Sequence, residues 1–410
     1  MKKNRIITAI LCGAALFIGF SSCVKEASEQ REEPEIVPEE VTGHLSLTVS
    51  MEEARSTLDG LTPTWVEGDA LSAINASGNF KLELVDAATG KFSGDVEGSY
   101  PFLITYPYDE DYTAANYSGG VATLNIPATQ TLIPEQNVAP GALVAAGVLS
   151  SGSSVTLNNI VSLVKMNIGR SDIASVTFES TTASQPLAGS VTFDPVNPDT
   201  GGISITSGTD VVELLPDGAG GCFTPGVYYL TVAPRTVAGV KFTFTNSAAD
   251  TRNKQKVAST QLARNGGFNF GTFFLKSIST KQELLDWNDD FENWDSWDIA
   301  RLESNIDLDG AAWTPHGLTC TFDGNGKSIT NIRIATSEAN SCCFFTSVEP
   351  TGIVKDLTFG SSTDNSYFRQ SNTDSNNAFA APIRIVENGG KLMNITNYAS
   401  VDGQDCGSRH

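Results

Sequence analysis

The segment His44-Leu-Ser-Leu-Thr-Val-Ser-Met51 alternates an aliphatic or thioether side chain with a small polar one at every step. Successive side chains of a strand point to opposite faces, so Leu45, Leu47, Val49 and Met51 share one side, the pattern of a half-buried strand. The same period of two returns at Phe80, Leu82 and Leu84 and at Tyr100, Phe102, Ile104 and Tyr106. Similar runs occupy 121–126, 174–179, 189–193, 227–233 and 240–245, each bounded by Gly, Pro, Asn or Asp, and helical periodicity never persists there beyond a turn or two. Short strands at regular spacing predict an all-β chain built of sandwiches. Composition agrees, with 37 glycines and 9% aromatics in 410 residues, a length that suits two or three domains.

Upstream, Lys2, Lys3 and Arg5 precede a weakly polar to apolar run from Ile6 to Phe20, followed by Ser21-Ser-Cys23. That run is about 15 residues, short of the ~20 a spanning helix needs, so residues 1–22 read as a signal peptide. Small residues before a cysteine are what lipoprotein signals end in, and such a lipobox implies diacylglycerol on the Cys23 sulfur, cleavage before it and acylation of the new amino group. Palmitate-class chains, each buried methylene contributing ~0.8 kcal/mol, would hold the protein on a membrane without a transmembrane helix. The bland alternative is an ordinary secretory signal with an incidental cysteine. Residues 23–41 carry Glu26, Glu29, Glu32, Glu33, Glu35, Glu39 and Glu40 with Pro34 and Pro38, a solvated acidic tether. It resembles the acidic segments that some anaerobic Gram-negative bacteria read as a surface-export signal, which points to the outer face of the outer membrane.

A formal net charge of −21 makes nucleic acid an unsuitable partner. After Cys12 leaves with the signal and Cys23 is acylated, Cys222, Cys320, Cys342, Cys343 and Cys406 remain, an odd set that cannot pair fully within one chain. The three histidines, His44, His316 and His410, and the cysteine spacing suggest no zinc site, and no cofactor is expected.

Between about 42 and 275 an ordered set of short motifs emerges: Arg55-Ser-Thr-Leu-Asp59, Trp65-Val-Glu-Gly-Asp69, Tyr106-Pro-Tyr108, Ile126-Pro-Ala-Thr-Gln130 and Val138-Ala-Pro-Gly-Ala142. Asn159-Ile-Val-Ser-Leu-Val-Lys165, Leu187-Ala-Gly189, Gly226-Val-Tyr-Tyr-Leu230 and Gly267-Phe-Asn-Phe-Gly271 complete it. Together they resemble the fimbrillin-like family. The resemblance implies two transthyretin-like β-sandwich lobes, 42–170 and 171–276, and a role in surface pili or pilus-like adhesins. In that family a protease cuts after a basic residue to remove an N-terminal strand, and the groove accepts a strand from the next subunit, which is β-augmentation. Arg55 is the basic residue best placed for the cut; a surface residue at a strand start is the alternative reading.

The pattern changes at Ser277. Thr280-Lys-Gln-Glu283 forms a capping box, and Leu284, Trp287, Phe291 and Trp294 recur at helical spacing, giving a helical cap within 277–304. Trp287, Trp294 and Trp297 could make a sugar-stacking platform, but their phase favours core packing. Gly326–Ile334, Thr351–Phe359 and Gly389–Asn397 align as an internal repeat with offsets of 25 and 38 residues. Each repeat places an aliphatic residue, one variable residue, then Asn or Asp followed by Ile or Leu. That is solenoid arithmetic, with the polar segment 361–377 as an extruded loop. Asn305-Ile-Asp-Leu308, Trp313-Thr-Pro315 and Thr321-Phe-Asp-Gly-Asn-Gly326 resemble the first coils of the right-handed parallel β-helix found in bacterial adhesins, a match over roughly 278–398 that implies β-helix coils over 305–410. Cys320 and Cys342, 22 residues apart, would stack as buried small residues. The last residues offer neither a further coil nor a cap, so the stack needs a covering chain or a longer reading frame.

β-Helices also carry polysaccharide-degrading enzymes, for which Asp307, Asp309 and Asp323 with His316 and Arg301 would be the candidates. Their settings, Asp-Leu-Asp-Gly and Phe-Asp-Gly-Asn-Gly, are turn chemistry. No nucleophile elbow, zinc-protease motif or phosphate loop is present. The sequence therefore predicts a non-catalytic surface adhesin or pilus-associated subunit, tip-like or non-polymerising, with a glycan or protein ligand. The alternatives are a glycan-binding lipoprotein and a β-helix enzyme.

Overall fold

The computed structural model describes residues 40–52, 65–199, 202–218, 220–337, 342–371 and 379–402. The signal segment, Cys23, the tether up to residue 39, Arg55 and Cys406 lie outside the described residues. Strands dominate, as the periodicity leads one to expect, and among the described residues a single α-helix, Lys281–Asp289, interrupts them. Three separate hydrophobic cores divide the chain.

The first core is enclosed by seven strands. Gly43–Met51 is followed in space by Ser154–Asn159, Ala145–Leu149, Phe102–Tyr106, Ala70–Asn75, Gly78–Asp86 and Lys91–Val96, and the last pairs with the first. A sandwich is expected here from the sequence; the strand order instead closes into a barrel. Period-two alternation is common to both, because each buries one face of every strand. Closure comes from the opening strand, which runs antiparallel to Lys91–Val96 and parallel to Ser154–Asn159. Its Leu45, Leu47 and Val49 are buried as the alternation dictates. They meet Leu71, Leu82, Phe92, Phe102, Ile104 and Leu157 inside.

The second core lies between a five-stranded sheet, a four-stranded sheet and a three-stranded sheet. Strands on both sides of the residue-170 boundary share these sheets. Val121–Ile126 pairs with Ala188–Phe193, Thr129–Thr131 with Val211–Leu215, and Ser162–Ile168 with Gly226–Val232. Periodicity tells which residues are half-buried and says nothing about which distant strand they join.

The third core fills three stacks of parallel strands. One stack is Leu275–Ile278, Ile299–Leu302, Thr321–Thr330, Ile353–Phe359 and Lys391–Asn397; the others are His316–Leu318, Cys342–Val348, Ala380–Ile383 and Arg333–Thr336, Tyr367–Gln370, Ser400–Asp402. Ile353 pairs with Lys391, the expected offset of 38. The other expected offset of 25 is corrected: Thr321 pairs with Ile353 and Ile329 with Phe359, so the shift there is 32 and then 30 residues. The mismatch arises because Asn331, aligned in sequence with Asp356, sits at a different corner. Asn325, Asp356 and Asn394 are the residues that share the bend, with φ of 51°, 52° and 53°, a conformation Asn and Asp adopt most readily after glycine. Asn394 Nδ2 reaches down one coil to Asp356 Oδ1 at 2.9 Å. The loop expected at 361–377 is also corrected, since Tyr367–Gln370 is a strand with Phe368 fully buried.

The helix covers the first coil. The Glu283 N–H bonds the Thr280 hydroxyl at 3.2 Å, and the Glu283 carboxylate accepts the Ser279 and Thr280 N–H groups at 2.7 and 3.0 Å, closing the expected capping box. Leu284 and Trp287 point into the coil core, where Trp287 meets Phe322 at 5.0 Å. At the far end Leu392, Met393, Tyr398 and Val401 are exposed. The bend column gives a test. Asp356→Val should destabilise this module by about 1–3 kcal/mol, because a β-branched residue tolerates φ of 52° poorly. Asp356→Gly should cost clearly less in a urea titration followed by tryptophan fluorescence, and equal costs would contradict the strained-bend explanation.

Candidate functional site

The motifs that are scattered in sequence converge in space. Asp69 Oδ2 accepts the Val66 N–H at 2.9 Å and Oδ1 accepts the Tyr106 hydroxyl at 3.0 Å, while Trp65 packs edge-on against Phe92 and Tyr106 at 4.9 and 5.4 Å. Burial and then the Asp69 charge hold the Tyr106 phenol far above its ordinary value, so it stays a neutral donor. Gln130 is buried and grips the backbone of Thr231, donating to its carbonyl at 2.7 Å and accepting its N–H at 2.9 Å. The Thr231 hydroxyl in turn donates to the Ala142 carbonyl at 2.8 Å. Two motifs thus meet, with the strand residue Thr231, at one buried polar knot, paired as a water-excluded site requires.

The opening strand ends in a latch that sequence reasoning misses. Glu52, the residue after that strand, forms a two-pronged pair with Arg264, Nη1 to Oε2 at 2.6 Å and Nη2 to Oε1 at 2.9 Å. Arg264 also donates to Asp199 at 2.7 Å and to the Asn159 carbonyl at 2.7 Å, and its side chain is only 7% exposed. The hydrogen-bonded Glu52 carboxylate, helped by Asp199 against the effect of burial, holds the guanidinium above its usual value. No local signal could reveal a pair separated by 212 residues. Arg55, the candidate cleavage residue, follows Glu52 by three positions and lies outside the described residues.

The carboxylates considered for catalysis are each engaged locally. Asp307 Oδ1 accepts the Asp309 N–H at 2.8 Å and the Asn331 amide at 2.9 Å, and Asp309 sits at φ 48° in that turn. Asp323 is buried, bonded to Arg301 at 3.1 Å and to Lys355 at 3.0 Å. Burial alone would raise its carboxyl, but Lys355, the Asn325 N–H and Arg301 overturn that and leave it below the ordinary range. Its stabilising contribution is therefore full above the ordinary carboxylate value and is lost as pH falls through the lowered one. His316 stacks on Phe291 with centroids 3.7 Å apart, and burial pushes its imidazole down against the pull of Asp289. Among the described residues no group of three His, Cys, Asp or Glu side chains converges as a metal site would require. No helix among them is long and apolar enough to cross a membrane.

Trp287 and Trp297 are buried and Trp294 half-buried, its indole stacked on Trp287 at 4.2 Å, which accords with the core reading of all three. Cys320, Cys342 and Cys343 are buried free thiols. Cys342 pairs in register with Ala380, so the expected stacking of Cys320 on Cys342 is corrected to separate places in one core. Burial pushes Cys320 and Cys343 up to about 12 and Cys342 up to about 11.

No family model matches the chain, and no curated protein matches it. Among solved structures, a Bacteroides ovatus protein provisionally named for cell adhesion is similar at 12% identity over 56% of this chain and 92% of its own, with a TM-score of 0.36. A Bacteroides fragilis protein with a similar provisional name shares 10% identity over 57% of this chain and 91% of its own, TM-score 0.27. A Bacteroides ovatus fimbrial protein shares 12% identity over 57% of this chain and 49% of its own, TM-score 0.27.

Arg264→Ala should destabilise the protein by about 3 kcal/mol, since it takes two charge-assisted hydrogen bonds from a mostly buried carboxylate. Hydrogen exchange should rise first in 43–51, and protection lost uniformly along the chain would contradict a local latch. In native protein, iodoacetamide should spare Cys320, Cys342 and Cys343 and modify them only after unfolding, because thiolate formation is suppressed. Mass spectrometry of labelled peptides reads the outcome directly.

Proposed function

We propose that the chain is a surface lipoprotein of the fimbrillin-like type, anchored through acylated Cys23 and a tether ending near 41, and acting in adhesion or pilus assembly without catalysis. In this reading 42–170 and 171–276, whose strands share sheets across residue 170, form the fimbrillin-like part, 277–304 is the cap, and 305–410 is a right-handed parallel β-helix. The outer membrane surface, and for an assembled subunit the fimbrium, is its location. Its partners are the membrane, neighbouring surface subunits and an external ligand, and its charge disfavours nucleic acid.

The opening strand carries the proposal. Gly43–Met51 joins Ser154–Asn159 in the one parallel pairing of the barrel among the described residues, and it contacts the rest through pairings 43 to 106 residues away in sequence. A cut after Arg55 would turn it into a separable peptide held by main-chain hydrogen bonds, three aliphatic side chains and the Glu52 latch. Withdrawing it would leave unpaired edges on Lys91–Val96 and Ser154–Asn159 and apolar pockets at alternate positions. That is the surface a strand from another subunit can fill. The additional module after Leu275 suits a tip or a non-polymerising adhesin, since it occupies the end from which a polymerising subunit would donate its own strand.

Amino-terminal sequencing of protein released from the cell surface tests the processing step. The expected result is a fraction beginning at Ser56 that disappears in Arg55→Ala cells, and an intact acylated Cys23 start in all molecules would remove the strand-exchange part. Feeding cells an alkyne fatty acid should label the wild type and not Cys23→Ala, and label that persists in the variant would remove the anchor at this cysteine.

A further inference from the structure

A cavity of about 590 Å³ opens where the second β region meets the helical cap. Its walls are held together by polar ties across the junction. Arg170 donates to the Trp297 carbonyl at 2.9 Å and lies over its ring at 5.0 Å. Arg252 pairs with Asp295 at 3.0 Å, and Lys254 with Asp298 at 3.7 Å. The accessible aromatic surface of the inner wall belongs to half-buried Phe273 and to half-buried Trp294, which stacks on buried Trp287. The rim is polar: Asn293 Nδ2 donates to Asp290 Oδ1 at 2.5 Å, which fixes an amide and a carboxylate side by side, and exposed Lys276 also lines the cavity. A second recess of about 340 Å³ continues the cleft, sharing Lys254 and Phe273 with the first.

Several ligand classes fit poorly. Asp286, Asp290 and Asp298 outnumber Lys254 and Lys276, so a phosphate or polyanion would meet net repulsion. An added strand along the free edge Thr251–Lys256 would face half-buried Arg252, Lys254 and Lys256, and inward-pointing cations are a means by which edges resist pairing. A ligand with apolar C–H faces and many hydroxyls matches both the wall and the rim, because rings pack on the first and paired donors and acceptors read the second. We infer that this cleft binds a neutral saccharide, with Asp290, Asn293 and Lys276 reading its hydroxyls. The inference rests on the adhesion reading and names the ligand class of that adhesin.

The test uses the full chain on an array of immobilised neutral and acidic oligosaccharides, beside whole-cell binding by beads coated with the same protein. Neutral hexose or N-acetylhexosamine oligosaccharides should be retained. Asp290→Ala/Asn293→Ala should weaken retention about tenfold or more, and Lys276→Ala, outside that turn, should weaken it severalfold. Lys391→Ala at the opposite end of the coil stack should change nothing, and thermal unfolding curves establish that each variant is folded. Retention of acidic glycans only, or retention unchanged in both rim variants, would overturn the cleft assignment. If beads still adhere to cells while the rim variants bind like wild type, the adhesion reading stands and the saccharide cleft falls. If neither glycan nor cell is bound, both fall.

Discussion

The barrel exists as a closed structure because one strand bridges two edges that would otherwise face water. Gly43–Met51 satisfies the main chain of Lys91–Val96 on one side and Ser154–Asn159 on the other, and inserts Leu45, Leu47 and Val49 into the core. Each such burial contributes about 1.5–3 kcal/mol. Their sum is comparable to the whole stability of a typical domain, about 5–15 kcal/mol. Removing this strand would therefore leave two unpaired edges and an opened core, and the Glu52–Arg264 pair fastens its end.

The C-terminal module obeys a different constraint. Its strands must turn the same corner on successive passes, and residues with positive φ at Asn325, Asp356 and Asn394 do so with side chains that bond to the neighbouring coil. Gly324 is needed beside the first of these, since a Cβ there would lie 2.4 Å from the Asp356 carbonyl. Large aromatics, Phe322, Phe344, Phe345, Phe359 and Phe368, then fill the interior of the stack.

Much of this was legible in the sequence wherever the cause was local. The alternation at Leu45, Leu47 and Val49 reports a buried face, Thr280 and Glu283 report a helix start, and the spacing of Thr351 and Gly389 reports one coil. Long-range pairing was not legible. Alternation cannot say that strands before 170 pair with strands after it, nor that Glu52 finds Arg264. Asn331 does not lie opposite Asp356, because two different corners of the coil use the same turn residue. The helical spacing of the cap tryptophans reports their place in the core, yet the cleft they help to wall needs Lys254 and Phe274, from segments whose proximity only the tertiary structure reveals.

Strand complementation measures what the opening strand contributes to barrel closure. Protein cut after residue 55 and freed of its amino-terminal fragment would be titrated with a synthetic peptide spanning 42–52, and with the same peptide carrying Leu47→Asp. The wild-type peptide is expected to restore the unfolding midpoint of the uncut protein, saturably, while the substituted peptide does not. A cut barrel as stable without any peptide as the intact protein would contradict it.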